Sequence, residues 1–154
     1  MKNFIKKKFL IIVLCACFVC NAYAATTDEV KRNIINQARA MGIEPEIALS
    51  LAKVESGFRQ DIKSSGGHIG VYQLSHATAK NLGYDPYNLD DNIKAGLTYY
   101  KKMYDRFGSV ELALAAYNSG PMAVKKNSYK IPKNSERFVS KIMHNYNHYK
   151  EKGL

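Results

Sequence analysis

Apolar residues in this chain recur at three- and four-residue spacing, and the first five such runs each stop at a glycine: Gly42, Gly57, Gly83, Gly108 and Gly120. A run of that period buries one stripe of a helix, and a glycine just past its end supplies the left-handed backbone that closes the last turn. No stretch alternates apolar and polar residues long enough to make a useful strand. The expected fold is therefore all-α, with irregular loops, in a single domain.

The helices can be placed from their caps. Thr27 and Asp28 can start a first helix carrying Val30, Ile34, Ile35, Ala38 and Met41 on one side. Pro45 suits the first turn of a second, which ends at Gly57. Residues 58–74 read as loop, and a short helix near 76–82 follows. Asn88 or Asp90 can cap the longest central helix, with Ile93, Leu97, Tyr100, Met103, Tyr104 and Phe107 as its apolar stripe. Ser109 starts an alanine-rich helix from Val110 to Asn118, stopped by Gly120-Pro121. A last helix runs from about Ser135, with Phe138, Val139, Ile142, Met143 and Tyr146 inward and a frayed tail from Lys150.

The N-terminus reads as a signal peptide. Lys2, Lys6, Lys7 and Lys8 form a positive segment, Phe9 to Val19 an apolar run short for a bilayer, and Ala22-Tyr23-Ala24 a cleavage site. The expectation is export to the periplasm or cell envelope, with residues 25–154 as the mature domain. An acylated Cys17 in Leu14-Cys15-Ala16-Cys17 and an uncleaved anchor are the alternatives. Cleavage after Ala24 removes Cys15, Cys17 and Cys20, which excludes disulfides and a thiol nucleophile. It also removes four lysines, leaving 19 basic against 13 acidic residues and a net charge of +6 instead of +10. A positive exported domain favours polyanions such as cell-wall peptide carboxylates or anionic lipid, and the compartment disfavours nucleic acid. Surplus lysine also serves simply to keep a chain in solution.

Glu55 is the residue with the sharpest chemical implication. It ends the apolar stretch Ile47-Ala48-Leu49-Ser50-Leu51-Ala52-Lys53-Val54 and shares a helix face with Ala48, Leu51 and Ala52. A carboxyl on a buried face resists ionisation, which is what a general acid needs near neutral pH. A helix C-terminus also repels anions, so a merely structural role leaves the placement unexplained.

Three segments stand in order: Ala52-Lys53-Val54-Glu55-Ser56-Gly57-Phe58; Gly70-Val71-Tyr72-Gln73-Leu74, with Ala77-Thr78-Ala79; and Ala115-Ala116-Tyr117-Asn118-Ser119-Gly120-Pro121. Singly each is weak. Together, over roughly residues 40–125, they resemble the lytic transglycosylase family, whose catalytic domain is similar to goose-type lysozyme. The resemblance implies a lysozyme-like fold and peptidoglycan as substrate, with no cofactor and no metal. It makes Glu55 the catalytic acid and places Ser65 (or Ser64), Gln73, Tyr117 and Asn118 at the substrate, with Tyr117 pointing at the acid. Gln73 offers a donor and an acceptor for sugar hydroxyls. The glycines up to Gly70 permit close approach of backbone to a ligand. Tyr72, Tyr84 and Tyr87 are candidate groove aromatics, whereas Tyr100 and Tyr104 fit the core stripe better. The family often has methionine where Tyr72 stands, proline where His76 stands, and glycine-alanine in place of Gly67-His68. His144 and His148 have metal-ligand spacing but no evident third ligand, and solvated histidines are the better reading.

A glycoside hydrolase ordinarily needs two carboxyls, and Asp61, the nearest partner in the loop, has no role in the family. The resemblance implies instead that Glu55 protonates the bond between N-acetylmuramic acid and N-acetylglucosamine and then, as carboxylate, deprotonates the muramic 6-hydroxyl. That hydroxyl closes a 1,6-anhydro ring. The rival functions are a hydrolytic muramidase of the same fold, a non-catalytic wall-binding assembly protein and a chitin-directed lysozyme. The small domain also suggests an enzyme that opens the wall for a secretion, conjugation or pilus apparatus.

Overall fold

The computed structural model describes residues 25–153. The signal-peptide reading of residues 1–24, with its three cysteines, lies outside the described residues, as does Leu154. Seven helices and two very short strands follow in the order α1 (Thr27–Ala40), α2 (Pro45–Ser56), β1 (His68–Ile69), β2 (Leu74–Ser75), α3 (His76–Asn81), α4 (Leu89–Phe107), α5 (Val110–Ser119), α6 (Pro121–Lys126) and α7 (Lys133–Lys152). The domain is therefore all-α apart from one hairpin. None of the described helices is long and apolar enough to cross a membrane.

Local chemistry fixes the helix ends. The N-cap of α1 is Thr26, one residue before the expected pair. Its hydroxyl accepts from the Glu29 amide at 3.3 Å, while the Glu29 carboxylate accepts from the Thr26 amide at 2.7 Å. Asn88 caps α4 through the Asp91 amide, and Ser109 caps α5 through the Leu112 amide. Pro45 opens α2, and Gly57 closes it in the left-handed region at φ +64°.

Helix α5 is the centre of the packing. Ala113 to Tyr117 are all buried, so this helix is covered all round, by α4, α6 and α7. Its alanines let those neighbours come close. Helix α2 is buried from Ile47 to Ala52 and lies between α1 and α7. Enclosing leucines and isoleucines such as Leu49, Leu51, Ile93 and Leu114 contributes about 1.5–3 kcal/mol each by removal from water.

Four readings are corrected or extended. The loop after α2 contains an antiparallel pair, His68 opposite Ser75 and Ile69 opposite Leu74, with Lys63 bridging to Ile69. The alanine-rich helix does stop at Gly120-Pro121, but an unexpected helix follows at once. Gly120, at φ +82°, turns the chain, and Pro121 becomes the first residue of α6. The last helix begins at Lys133 and stays regular to Lys152, because the Lys150 ammonium and the Tyr146 hydroxyl both donate to Glu44 at 2.8 Å. Tyr104 stands 42 % exposed, stacked on the buried Tyr100 at the solvent edge of α4 rather than inside the stripe.

Candidate active site

Glu55 lies in the last turn of α2, half-buried, with the enclosed Leu51 and Ala52 one turn behind it. Among the described residues no hydrogen bond or ion pair reaches its carboxyl. Burial alone pushes its pKa up to about 8, with no contribution from a second acid. The other two shifted carboxyls move the opposite way. Lys150 and Tyr146 hold Glu44 below the usual carboxylate range through hydrogen bonds, and Thr26 does the same for Glu29. Glu55 is thus the one shifted carboxyl that is kept protonated at neutral pH. The backbone just after it is unusual. Gly57 and then Phe58, at φ +68°, both take left-handed geometry, and Phe58 is tucked into the core. A non-glycine residue there costs about 1–3 kcal/mol, offset by burial of the ring and by the Lys31 ammonium above it.

The second segment is held by Tyr72, which is a structural pin. The expectation that it lines a sugar groove is overturned, since the side chain is fully buried. Its hydroxyl donates to the Ala48 carbonyl of α2 at 3.0 Å. Its amide donates to Asn92 Oδ1 of α4 at 2.9 Å. Its carbonyl accepts from the Tyr117 hydroxyl of α5 at 2.8 Å. The ring lies on Gly96, where any Cβ would fall inside the space of the tyrosine. One residue therefore ties the loop to three helices.

Asn92 completes that junction. Its Nδ2 donates to the carbonyls of Ile69 and Pro86, both at 2.9 Å. Gln60 works beside it, accepting from the Val71 amide and donating to Pro86. Gly70, at φ +76°, passes between the two, and a Cβ there would stand 2.5 Å from Asn92 Nδ2 and from Gln60 Oε1. The expected close approach at Gly70 is thus to these amides. Sequence reasoning missed Asn92, Gln60 and Gly96. A polar residue at position 92, one turn before Gly96 and beside Ile93 on the apolar stripe of α4, was the signal that could have found them.

Of the remaining candidates, Gln73 takes φ +45° and folds its Nε2 onto the Gly70 carbonyl at 2.9 Å, while Oε1 has no partner among the described residues. Tyr117 is buried, and its pKa is raised by burial first and then by the charge of Glu55, Tyr72 and Tyr99. Acid and phenol thus sit within each other's field. The Tyr117 hydroxyl, however, donates to the Tyr72 carbonyl, not to Glu55. Tyr99, unremarked in the sequence, packs its ring 5.2 Å from that of Tyr117. Asn118 is exposed and donates to Ser135 Oγ of α7 at 3.0 Å, which joins α5 to α7. Ser65 is exposed on the hairpin approach, whereas Ser64 Oγ is occupied, accepting from the His68 amide at 3.1 Å. Tyr84 is half-buried and Tyr87 is 60 % exposed. His144 and His148 are exposed, and no cluster of three potential metal ligands occurs among the described residues.

A small cavity of about 130 Å³ lies elsewhere, between the α1–α2 turn, α4 and α7. Its acid is Glu44, already satisfied by Lys150 and Tyr146, so it offers no unmet group for chemistry.

The site is thus an unpaired protonated acid at a helix end, within the field of the buried Tyr117. Residues 19–139 match the model of the transglycosylase SLT domain. The chain belongs to the transglycosylase SLT domain family. It is 31% identical over 109 residues to a transglycosylase of Enterobacteria phage PRD1, covering 68% of this chain and 38% of that protein. It is 30% identical over 99 residues to the soluble lytic murein transglycosylase of Salmonella typhimurium, covering 56% of this chain and 15% of the relative. This SLT domain thus spans well under half the length of these relatives. Among solved structures it is similar in fold to lytic transglycosylase Slt of Pseudomonas aeruginosa, with TM-score 0.69 at 22% identity over 79% of this chain and 24% of that one. The 70 kDa soluble lytic transglycosylase of Escherichia coli gives TM-score 0.67 at 24% identity over 77% and 23%.

Proposed function

We propose that this SLT domain is a peptidoglycan lytic transglycosylase that cleaves the bond between N-acetylmuramic acid and N-acetylglucosamine and leaves a 1,6-anhydro end. The observation that carries the reading is Glu55: protonated at neutral pH, free of partners among the described residues, and shifted by burial with no second acid contributing. Such a group can donate a proton to the glycosidic oxygen as the bond breaks. The carboxylate left behind then accepts the proton of the muramic 6-hydroxyl as that oxygen bonds to the anomeric carbon. The proton count closes on Glu55, and no water is consumed. A second carboxyl, which hydrolysis needs to activate water or to trap the sugar, is not called for.

The remaining residues position and read the sugar. Tyr117 fixes the Tyr72 carbonyl and thereby holds the 70–73 turn against α5, while Gln73 presents Oε1 toward an acetamido or hydroxyl donor. Ser65 and Asn118 lie at the exposed margins as further contacts. Export with cleavage after Ala24, and a role in opening the wall for a secretion, conjugation or pilus machine, extend the same reading. Sequencing of the exported protein should begin at Ala25; a lipid on Cys17 would replace that step.

Digestion of purified peptidoglycan followed by mass measurement tests the chemistry. Anhydro-ended muropeptides, one water lighter than reducing-ended ones, are expected. Reducing ends would make the protein a muramidase, and wall binding without release would make it an assembly protein.

A further inference from the structure

The positive charge of this domain is confined to one part of it. Residues 25–111 carry 11 basic and 11 acidic side chains, whereas residues 112–154 carry 8 basic and 2 acidic, which accounts for the whole net charge of +6. Charge spread for solubility alone has no reason to segregate in this way.

Helix α7 arranges part of that surplus in a line. Lys133, Arg137 and Lys141 follow one another at four-residue steps on the side opposite the buried Val139 and Ile142, and His144 and His148, which the charge count leaves out, continue the line; all five are exposed. The three counted cations span about 12 Å of that line at 1.5 Å per residue. The ion pairs among the described residues, Lys31–Asp28, Lys101–Asp105 and Lys150–Glu44, leave all five untouched. Beside the stripe an open groove runs between α2 and α7, lined by Lys53, Val54, Ser140, Lys141, His144 and Asn145. Val54 is the neighbour of Glu55 in sequence, so the groove begins on the helix that carries the acid.

We infer that the cationic stripe of α7 and the α2–α7 groove dock the stem-peptide carboxylates of peptidoglycan, holding the wall apart from the residues that act on the sugar. This rests on the peptidoglycan reading above. A membrane is the poorer fit. A helix lying on lipid needs an apolar face beside its cations, and the apolar face of α7 is buried against α2 and α5. The most exposed apolar side chains, Tyr87, Met122 and Tyr129, belong to other segments.

The test uses the full exported chain with Glu55→Gln, so that the wall is not consumed. Lys133→Glu, Arg137→Glu and Lys141→Glu are added to it, and co-sedimentation with intact sacculi is measured. Exposed ion pairs are individually weak but act here in series, so the triple change should weaken binding roughly 10- to 100-fold. Sacculi whose carboxyls have been converted to amides should bind both proteins weakly and equally. With Glu55 restored, the triple variant should still cut glycan stripped of peptide at the parent rate. Equal binding of the two proteins to untreated sacculi would overturn the inference, as would charge-dependent capture by anionic phospholipid vesicles with wall binding unchanged. If the triple variant melts early, Arg137→Gln with Lys141→Gln should show a smaller loss of binding in the same direction. Failure of the peptidoglycan reading itself would appear separately, as absence of any cleavage product from the unaltered protein.

Discussion

Asn92 and Glu55 are polar side chains set among apolar ones, and they stand in opposite states. Asn92 is fully enclosed, and its amide serves three backbone groups: the Tyr72 amide and the carbonyls of Ile69 and Pro86. Glu55 keeps one side to solvent and serves none. A buried amide with every group paired stabilises its surroundings, because each partner would otherwise stay desolvated and unmet. A carboxyl with no partner keeps its proton and lowers the stability of the fold when forced to ionise. One group holds the loop still, and the other keeps its proton without a partner among the described residues.

Replacing the reactive member should have the largest effect. Glu55→Gln keeps the shape and removes the proposed proton donor, and turnover of peptidoglycan should fall about 10²- to 10⁴-fold, the usual range for general acid catalysis. Unchanged turnover would remove Glu55 from the mechanism. Asn92→Ala should come next. It leaves three buried backbone groups without their partner, and urea unfolding should show a loss of about 3–5 kcal/mol with no new charge in the site. A loss below about 1 kcal/mol would mean that water reaches this junction.

Glu55 also sets a pH dependence of stability. Glu55 titrates near 8 in the fold and near 4.5 in the unfolded chain. Between these values the unfolded state has released a proton that the folded state keeps, so stability falls as pH rises through this window. The full span corresponds to about 1.4 kcal/mol per pH unit. Contact of the carboxyl with solvent reduces the total to roughly 2–3 kcal/mol. The Glu55→Gln protein should lack this slope, and its thermal midpoint should exceed that of the parent by more at pH 8 than at pH 5. A parallel pair of profiles would contradict the raised pKa. The smallest expected effect is that of Tyr72→Phe, which removes only the bond to the Ala48 carbonyl. It should cost about 1 kcal/mol, measured by the same unfolding experiment, and should leave the pH slope of stability in place.

These contrasts also explain what the sequence could disclose. Helix ends were readable because caps are local chemistry: Pro45, Gly57, Asn88, Ser109 and Gly108 each act within one turn of themselves. Glu55 was readable because its oddity, an acid on an apolar face, lies within one helix. The roles of Tyr72, Asn92 and Gln60 were not, since all their partners but one lie 11 to 45 residues away in the chain. An aromatic in a glycine-rich loop suits a groove and a core equally well until the helices that receive it are placed. Helix α6 was hidden for a related reason, since Gly-Pro ends one helix and opens another with the same two residues.

The seating of Tyr72 on Gly96 also restricts how the sequence of this domain can drift. With tyrosine at 72, an alanine at 96 would place its methyl inside the ring, so position 96 is closed to change. That methyl would also stand 2.5 Å from the Cβ of residue 72, so position 96 opens only where position 72 carries glycine. The two positions can therefore be exchanged in one order only, 72 before 96. A library that varies both together should recover larger residues at 96 only in chains that already carry glycine at 72.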